Sequence, residues 1–368
     1  MQIVDLDSHS DPRTEDYVIE PEYDHLKPRM YFDAKGNRRE VFAGKVIRNI
    51  PSDLLERANN RVHQEWRRAR YDGAMRYEHV KEAGIDFQFV SAGIVSMFNY
   101  MDAKAGAAYC RSANNWLYKS FVKPYPDTFS ALPQLPLQDI SEALKEIERC
   151  VKEFGARSFL SPSNWNKIDM ADPYWWGFWD KVRDLGITSI IIHRGGMISP
   201  FIGQERVKVL GGEATMGPRV INGPFEYTAN IINLIFGGMM DAFPEFKFTF
   251  LEVGAEYYVP IKHRIQDAVE DIGYLREKIT QPLEKYFERI YFVIDDTLLE
   301  DSGRRLQYVV GELGADQLVF GSDYPHTDSH SLVHAITKIE GLGGISKEVK
   351  EKILGSNALR FLGTDSLH

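Results

Sequence analysis

Eight short β-rich runs alternate with helical patterns along the chain, which predicts an α/β fold, a single (β/α)8 TIM barrel with crossover connections. Two further observations favour a closed barrel over an open doubly wound sheet. No Gly-rich phosphate loop follows the first run. The 368 residues also suit one barrel of about 250 residues carrying insertions.

The runs are Ile3 to His9, Phe87 to Val90, Phe129 to Leu132, Ala156 to Leu160, Ile187 to His193, Phe246 to Glu252, Ile290 to Ile294 and Gln317 to Phe320. Glycine turns and prolines punctuate them. Between them, Ser141 to Phe154 places Leu144, Ile147 and Val151 at helical spacing. Pro173 to Leu185 does the same with Trp176, Trp179 and Val182, and Ser346 to Leu362 closes the chain as a helix. One domain, 1–368, is expected. Two segments exceed the bare repeat, about 10–81 and 194–226, and both leave from strand C-termini. In a barrel that end carries the active site, so these insertions are expected at its mouth.

The chain has 53 acidic and 44 basic residues, a formal charge of −9. That balance argues against a nucleic-acid partner, because phosphate neutralisation needs a basic surface. No apolar run approaches the ~20 residues of a membrane helix, so no membrane role is expected. Met1 to Asp5 lacks the basic start of a secretion signal. Cys110 and Cys150 form no disulfide framework and no Cys-x-x-Cys pair. A cytoplasmic protein is the expectation. Ser158 and Ser161 lie outside any Gly-x-Ser-x-Gly motif, which argues against a serine hydrolase.

The chemistry concentrates where polar residues end apolar strands. Asp5, Asp7 and His9 alternate with period two, so all three should face the barrel interior. Three ionisable groups in line are costly to bury without a cation. Asp7 and His9 are therefore expected to ligate a metal, with Asp5 supporting them from behind. His193 ends the fifth run and Asp323 follows the eighth; a satisfied structural histidine and a helix-capping aspartate are the plainer alternatives. Together the four form a mixed nitrogen and oxygen site, suited to Zn²⁺ first or Mn²⁺. His326, His330 and His334 recur every four residues, but only His326 adjoins that site. Trp165 follows the fourth run as a pocket candidate within an aromatic cluster. Arg194, next to His193, is a candidate for a substrate carboxylate, with a structural ion pair as the alternative.

Asp5-Leu6-Asp7-Ser8-His9 resembles the first-strand Asp-x-His-x-His motif of the amidohydrolase superfamily, with Asp7 in place of the first histidine. Asp172 to His193, Leu234 to Glu252 and Gly321-Ser322-Asp323-Tyr324-Pro325-His326 are similar to three further signatures of its branch around aminocarboxymuconate-semialdehyde decarboxylase. Their order and spacing span nearly the whole chain. The resemblance implies one divalent metal on Asp7, His9, His193 and Asp323, and a homodimer. Better-known members carry a histidine where this chain has Glu252.

Three functions follow. The first is metal-dependent hydrolysis of a small cyclic or aromatic substrate, with Asp323 moving the proton of a metal-activated water. The second is non-oxidative decarboxylation of an aromatic or unsaturated acid, with Asp323 protonating the ring carbon. The third is a binding barrel that has lost turnover, for which Glu252 is the sole support. Arg194, Tyr324 or His326 would hold or polarise the substrate. An ionised Glu252 cannot donate a hydrogen bond, so it is expected to act as a base or substrate acceptor, or else to anchor its loop.

Overall fold

Each β-rich run forms a strand because its alternate residues serve two apolar layers. In the computed structural model, β9 (Ser189–His193) shows the pattern. Ile191 joins a cluster inside the barrel with Val4, Leu6, Phe89, Leu251 and Val319, while Ile190 and Ile192 join the layer beneath the helices. His193 continues the inward phase of Ile191. The structure describes residues 1–42, 44–50, 52, 68–92, 101–163, 165, 168–193, 223–294, 299, 301–326 and 332–367.

The first barrel strand is split into β1 (Val4–Asp5) and β2 (His9–Ser10), and both pair in parallel with β6 (Phe87–Ala92). β6 pairs with β7 (Phe129–Leu132). On the other side β8 (Leu160–Pro162), β9, β10 (Lys247–Leu251), β11 (Ile290–Ile294) and β12 (Leu318–Phe320) pair successively, all in parallel. Backbone bonds cross the two remaining seams. Leu160 N–H donates to the Pro133 carbonyl at 3.1 Å. Leu6, Asp323 and His9 N–H donate to Phe320, Asp7 and Tyr324 carbonyls at 3.1, 2.9 and 2.8 Å. Strand order therefore follows chain order around the barrel expected from the sequence. The fourth strand begins at Leu160 rather than Ala156.

The segment read as a long charged insertion has structure of its own. β3 (Arg29–Phe32), β4 (Arg38–Phe42) and β5 (Lys45–Ile50) form an antiparallel sheet, which the scattered charges concealed. Tyr17 and Phe42 pack on Tyr109 with ring centroids 5.5 and 6.1 Å apart. Tyr109 belongs to α2 (Ala103–Leu117), so the segment leans on the second barrel helix. Within the same range, α1 (Gly73–Glu82) is the first barrel helix, started by Asp72 accepting from Met75 N–H. α3 (Ile140–Phe154) and α4 (Trp176–Asp184) match the expected helices closely. Of the range 194–226, only 223–226 is described, as the start of α5 (Gly223–Phe236). The closing helix is interrupted by a wider turn over Lys352–Ser356, where Gly355 lies against the Gln2 carbonyl.

Closure at the β12 seam depends on Gly321. A Cβ there would lie 2.5 Å from Val293 Cγ1 and 2.6 Å from Asp7 Cβ. Gly321→Ala should therefore destabilise the fold by about 1–3 kcal/mol and displace Asp7. Chemical denaturation in chelator measures the first effect. Metal content after reloading measures the second, and a fully loaded, equally stable variant would contradict both.

Candidate metal centre

The first strand reaches the barrel mouth with one residue more than its neighbour. Asp5 pairs with Gln88 and His9 with Ser91, four residue steps against three. One extra residue resets the in–out phase, as in a bulge. Val4 and Leu6 face inward below it, and His9 faces inward above it. The expected common face for Asp5, Asp7 and His9 is thereby corrected: Asp5 turns away. Its carboxylate accepts from Gln88 Nε2 at 2.7 Å, Ser322 Oγ at 2.6 Å, Ser322 N at 2.9 Å and Asp7 N at 3.2 Å. Burial outweighs these bonds and pushes its pKa up to about 6. Asp5 thus supports the mouth from behind.

Six side chains meet at the mouth. His9 Nε2 lies 3.3 Å from Asp7 Oδ1, 3.2 Å from Glu252 Oε1 and 3.2 Å from Asp323 Oδ1. His193 Nε2 lies 3.0 Å from the same Glu252 oxygen. His326 stacks on His9 with centroids 4.2 Å apart, and its Nδ1 hydrogen-bonds Asp323 Oδ1. Asp7, His9, His193 and Glu252 are almost fully buried, whereas the His326 side chain is 32% exposed. Glu252 directly follows β10, Asp323 lies three residues beyond β12, and both take left-handed backbone, at φ 59° and 52°. Each such non-glycine residue costs roughly 1–2 kcal/mol, and such strain gathers at functional sites.

The electrostatics call for a cation. One imidazole N–H has a single hydrogen, yet three carboxylate oxygens surround His9 Nε2. Burial pushes the His9 pKa down, but its bonds to Asp323, Asp7 and Glu252 outweigh that and raise it well above the ordinary histidine value. Burial raises the Asp7 carboxyl. Burial and the Glu252 charge also act to raise Asp323, yet His326 and His9 hold it below the ordinary carboxylate value. Asp7 Oδ2 is buried and has no hydrogen-bond partner among the described residues. A divalent ion would meet all these demands at once. Ser91 Oγ, 3.0 Å from His9 Nδ1, would then accept its proton and leave Nε2 to ligate.

Other expected residues lie elsewhere. Trp165 is fully buried, with Nε1 donating to Ser161 Oγ at 2.8 Å and its ring edge-on to Trp175 at 4.8 Å. It belongs to the outer core, not to a pocket wall. Tyr324 is buried too, its hydroxyl 2.6 Å from His79 Nδ1 on α1, so it faces the helix layer. Arg194 and His330 lie outside the described residues. His334 is exposed on α8 (Leu332–Gly341), counting α6 (Tyr258–Asp271) and α7 (Arg304–Leu313) before it.

Sequence reasoning missed Arg76. This fully buried α1 residue donates to the carbonyls of His9 at 2.5 Å and Tyr324 at 2.8 Å, and to Gln88 Oε1 at 2.8 Å. Burial lowers its pKa to about 10, so it stays charged. A single arginine among the charges of a helix gives no sign of this in sequence. Its bonds to His9 and Tyr324 tie the two strand ends that carry His9 and Asp323.

A parallel barrel that gathers imidazoles and carboxylates at its strand C-termini is the architecture of a metal-dependent enzyme. The chain belongs to the amidohydrolase family, whose model matches residues 32–364. It is an enzyme of that superfamily, as its motifs implied, and its site fits one divalent metal. The chain is 26% identical over 298 residues to 2-amino-3-carboxymuconate-6-semialdehyde decarboxylase of Dictyostelium discoideum, covering 80% of this chain and 77% of that protein. It is 27% identical over 294 residues to gamma-resorcylate decarboxylase of Polaromonas sp. strain JS666, covering 75% and 83%. The solved structure of dihydroxybenzoic acid decarboxylase from Polaromonas sp. JS666, with bound manganese and the inhibitor 2-nitroresorcinol, superposes with a TM-score of 0.70 at 21% identity. That match covers 98% of this chain and 97% of that one. No helix among the described residues is long and apolar enough to cross a membrane.

Two predictions follow from this geometry. Arg76→Met removes the side-chain donor to the His9 carbonyl and to Gln88 Oε1, both buried, and should cost about 2–4 kcal/mol, read by denaturation of the metal-free protein. The raised His9 pKa means that metal must displace a proton near neutrality. Apparent affinity should fall about tenfold per pH unit below that pKa for the one proton displaced. Calorimetry in buffers of different ionisation enthalpy reads that proton directly, and its absence would refute the charged state of His9.

Proposed function

We propose that the protein is a metal-dependent non-oxidative decarboxylase of a small aromatic or unsaturated acid. The observation that carries this reading is the pairing of a cation-demanding carboxylate–imidazole cluster with relatives named as decarboxylases over three quarters of the chain. Hydrolysis, the first of the sequence expectations, lacks that support.

The ion held by Asp7, His9, His193 and Asp323 would bind the substrate's carboxylate and draw electron density from it. The donor set of imidazoles and carboxylates admits manganese as well as zinc. The protein supplies the proton. Asp323 and His326 share a hydrogen bond, and His326 is the most exposed member of the cluster, so the pair faces an incoming substrate. A proton passes from this pair to the ring carbon that bears the carboxylate. The carbon–carbon bond then breaks, its electron pair restores the double bond used to take up the proton, and CO₂ leaves. His326 recovers a proton from solvent. Asp5, Ser322 and Arg76 hold the donor in place from behind.

Turnover of hydroxybenzoate-type acids in deuterated, ¹⁸O-labelled water tests this. The expected organic product carries one deuterium at the former carboxyl position and no solvent oxygen. Solvent oxygen in that product would mean hydrolysis. His326→Gln should lower turnover by about 10²-fold with metal content unchanged; unaltered turnover would remove His326 from the chemistry.

A further inference from the structure

Glu252 stands in the cluster where proton transfer was expected of it, but its surroundings suit another role. Its Oε1 lies 3.0 Å from His193 Nε2 and 3.2 Å from His9 Nε2. Those nitrogens belong to two of the residues assigned to the ion. Its side chain is 5% exposed, against 14% for Asp323 and 32% for His326. A base must reach the substrate from the open side, and Glu252 is the deepest of the three.

The spacing of the donor atoms is informative. Donors held about 2.0–2.2 Å from one ion lie about 2.8–3.1 Å apart along an octahedral edge and about 3.3–3.6 Å apart along a tetrahedral edge. The four contacts are 3.0 Å for His193–Glu252, 3.2 Å for His9–Glu252, 3.2 Å for His9–Asp323 and 3.3 Å for His9–Asp7. All four fall within the span expected of donors that share one ion. Two of the four, including the shortest, are made by Glu252. Asp7 Oδ2 is buried and without a hydrogen-bond partner among the described residues, which leaves that carboxylate short of positive charge. Glu252 also shares with Asp323 a left-handed backbone beyond its strand. Two strand ends thus use one conformation to aim a carboxylate at one point.

We infer that Glu252 is itself a metal ligand, completing a five-donor set with Asp7, His9, His193 and Asp323 that leaves one position for substrate and favours an octahedral ion such as Mn²⁺ over tetrahedral Zn²⁺. The inference rests on the metal site of the proposed decarboxylase, but not on its reaction. Three carboxylates against two imidazoles make a hard, anionic donor set, which suits ions that accept six oxygen or nitrogen ligands. His326 then remains outside the ligand set as the proton donor.

Metal-free protein titrated with Mn²⁺, Zn²⁺ and Co²⁺ provides the test, with Glu252→Ala beside the unaltered chain. The alanine variant should bind Mn²⁺ at least about 10²-fold more weakly, while Zn²⁺ affinity changes by less than about tenfold, so metal preference turns toward zinc. Bound Co²⁺ should show the weak visible absorption of five or six ligands in the unaltered protein and the stronger band of four ligands in the variant. Equal Mn²⁺ affinity and an unchanged Co²⁺ spectrum would overturn the inference. If the alanine variant does not fold, Glu252→Gln keeps the volume and one oxygen donor. It should lose about tenfold or more in Mn²⁺ affinity, and equal affinity would again overturn the assignment. Metal binding and CO₂ release are read separately. Loss of Mn²⁺ preference without any decarboxylation by the unaltered protein sustains the ligand and discards the reaction; decarboxylation with unchanged metal binding does the reverse.

Discussion

Three carboxylate oxygens crowd one imidazole nitrogen at the mouth of the barrel, each carried by main chain that the barrel fixes. Asp7 is held by the β12 seam, Asp323 by the turn beyond it, and Glu252 by the end of β10. Like charges this close, in surroundings with little water, repel strongly unless a cation lies among them. Without the ion, protons must do that work, which is why His9 is driven toward its charged form and Asp7 toward its neutral one. The barrel thus holds a site whose electrostatics are satisfied by an ion and only partly satisfied by protons.

The cost of this arrangement is borne by the rest of the fold. Two left-handed non-glycine residues and a buried aspartate with its pKa pushed up to about 6 sit at a few strand ends, and a fully buried guanidinium from α1 packs against them. Each is unfavourable alone. They persist because the two apolar layers, one inside the barrel and one beneath the helices, over-determine the backbone that carries them. The lower half of the barrel supplies stability, and the upper half uses it.

Much of this was legible in the sequence. Alternating apolar runs gave the strands to within a few residues, since period-two burial leaves a direct trace. Asp7, His9, His193, Asp323 and His326 were found because polar residues ending apolar strands are conspicuous, and the structure does bring them together. Three things left no such trace. The extra residue in the first strand is defined only against β6, so alternation alone placed Asp5 on the wrong face. Arg76 reads as one more charge on a helix, because its partners are main-chain carbonyls far away in sequence. Trp165 and Tyr324 follow strands as pocket residues would, but which way a side chain turns after a strand depends on neighbours that a single run does not reveal. The antiparallel sheet of β3 to β5 was hidden by its charge: β3 is exposed throughout and β4 is mostly half-buried, so neither shows an apolar alternation.

Arg76 grips carbonyl oxygens and an amide, never a ligand side chain. Its hold is therefore indifferent to which residue stands at position 9 or 324, provided the main chain follows the same path. Such a scaffold lets the inner ligands be exchanged one at a time while the frame that aims them stays put. The same property makes the barrel a suitable host for redesign, in which new donors are written into the mouth and the clamp behind it is left alone.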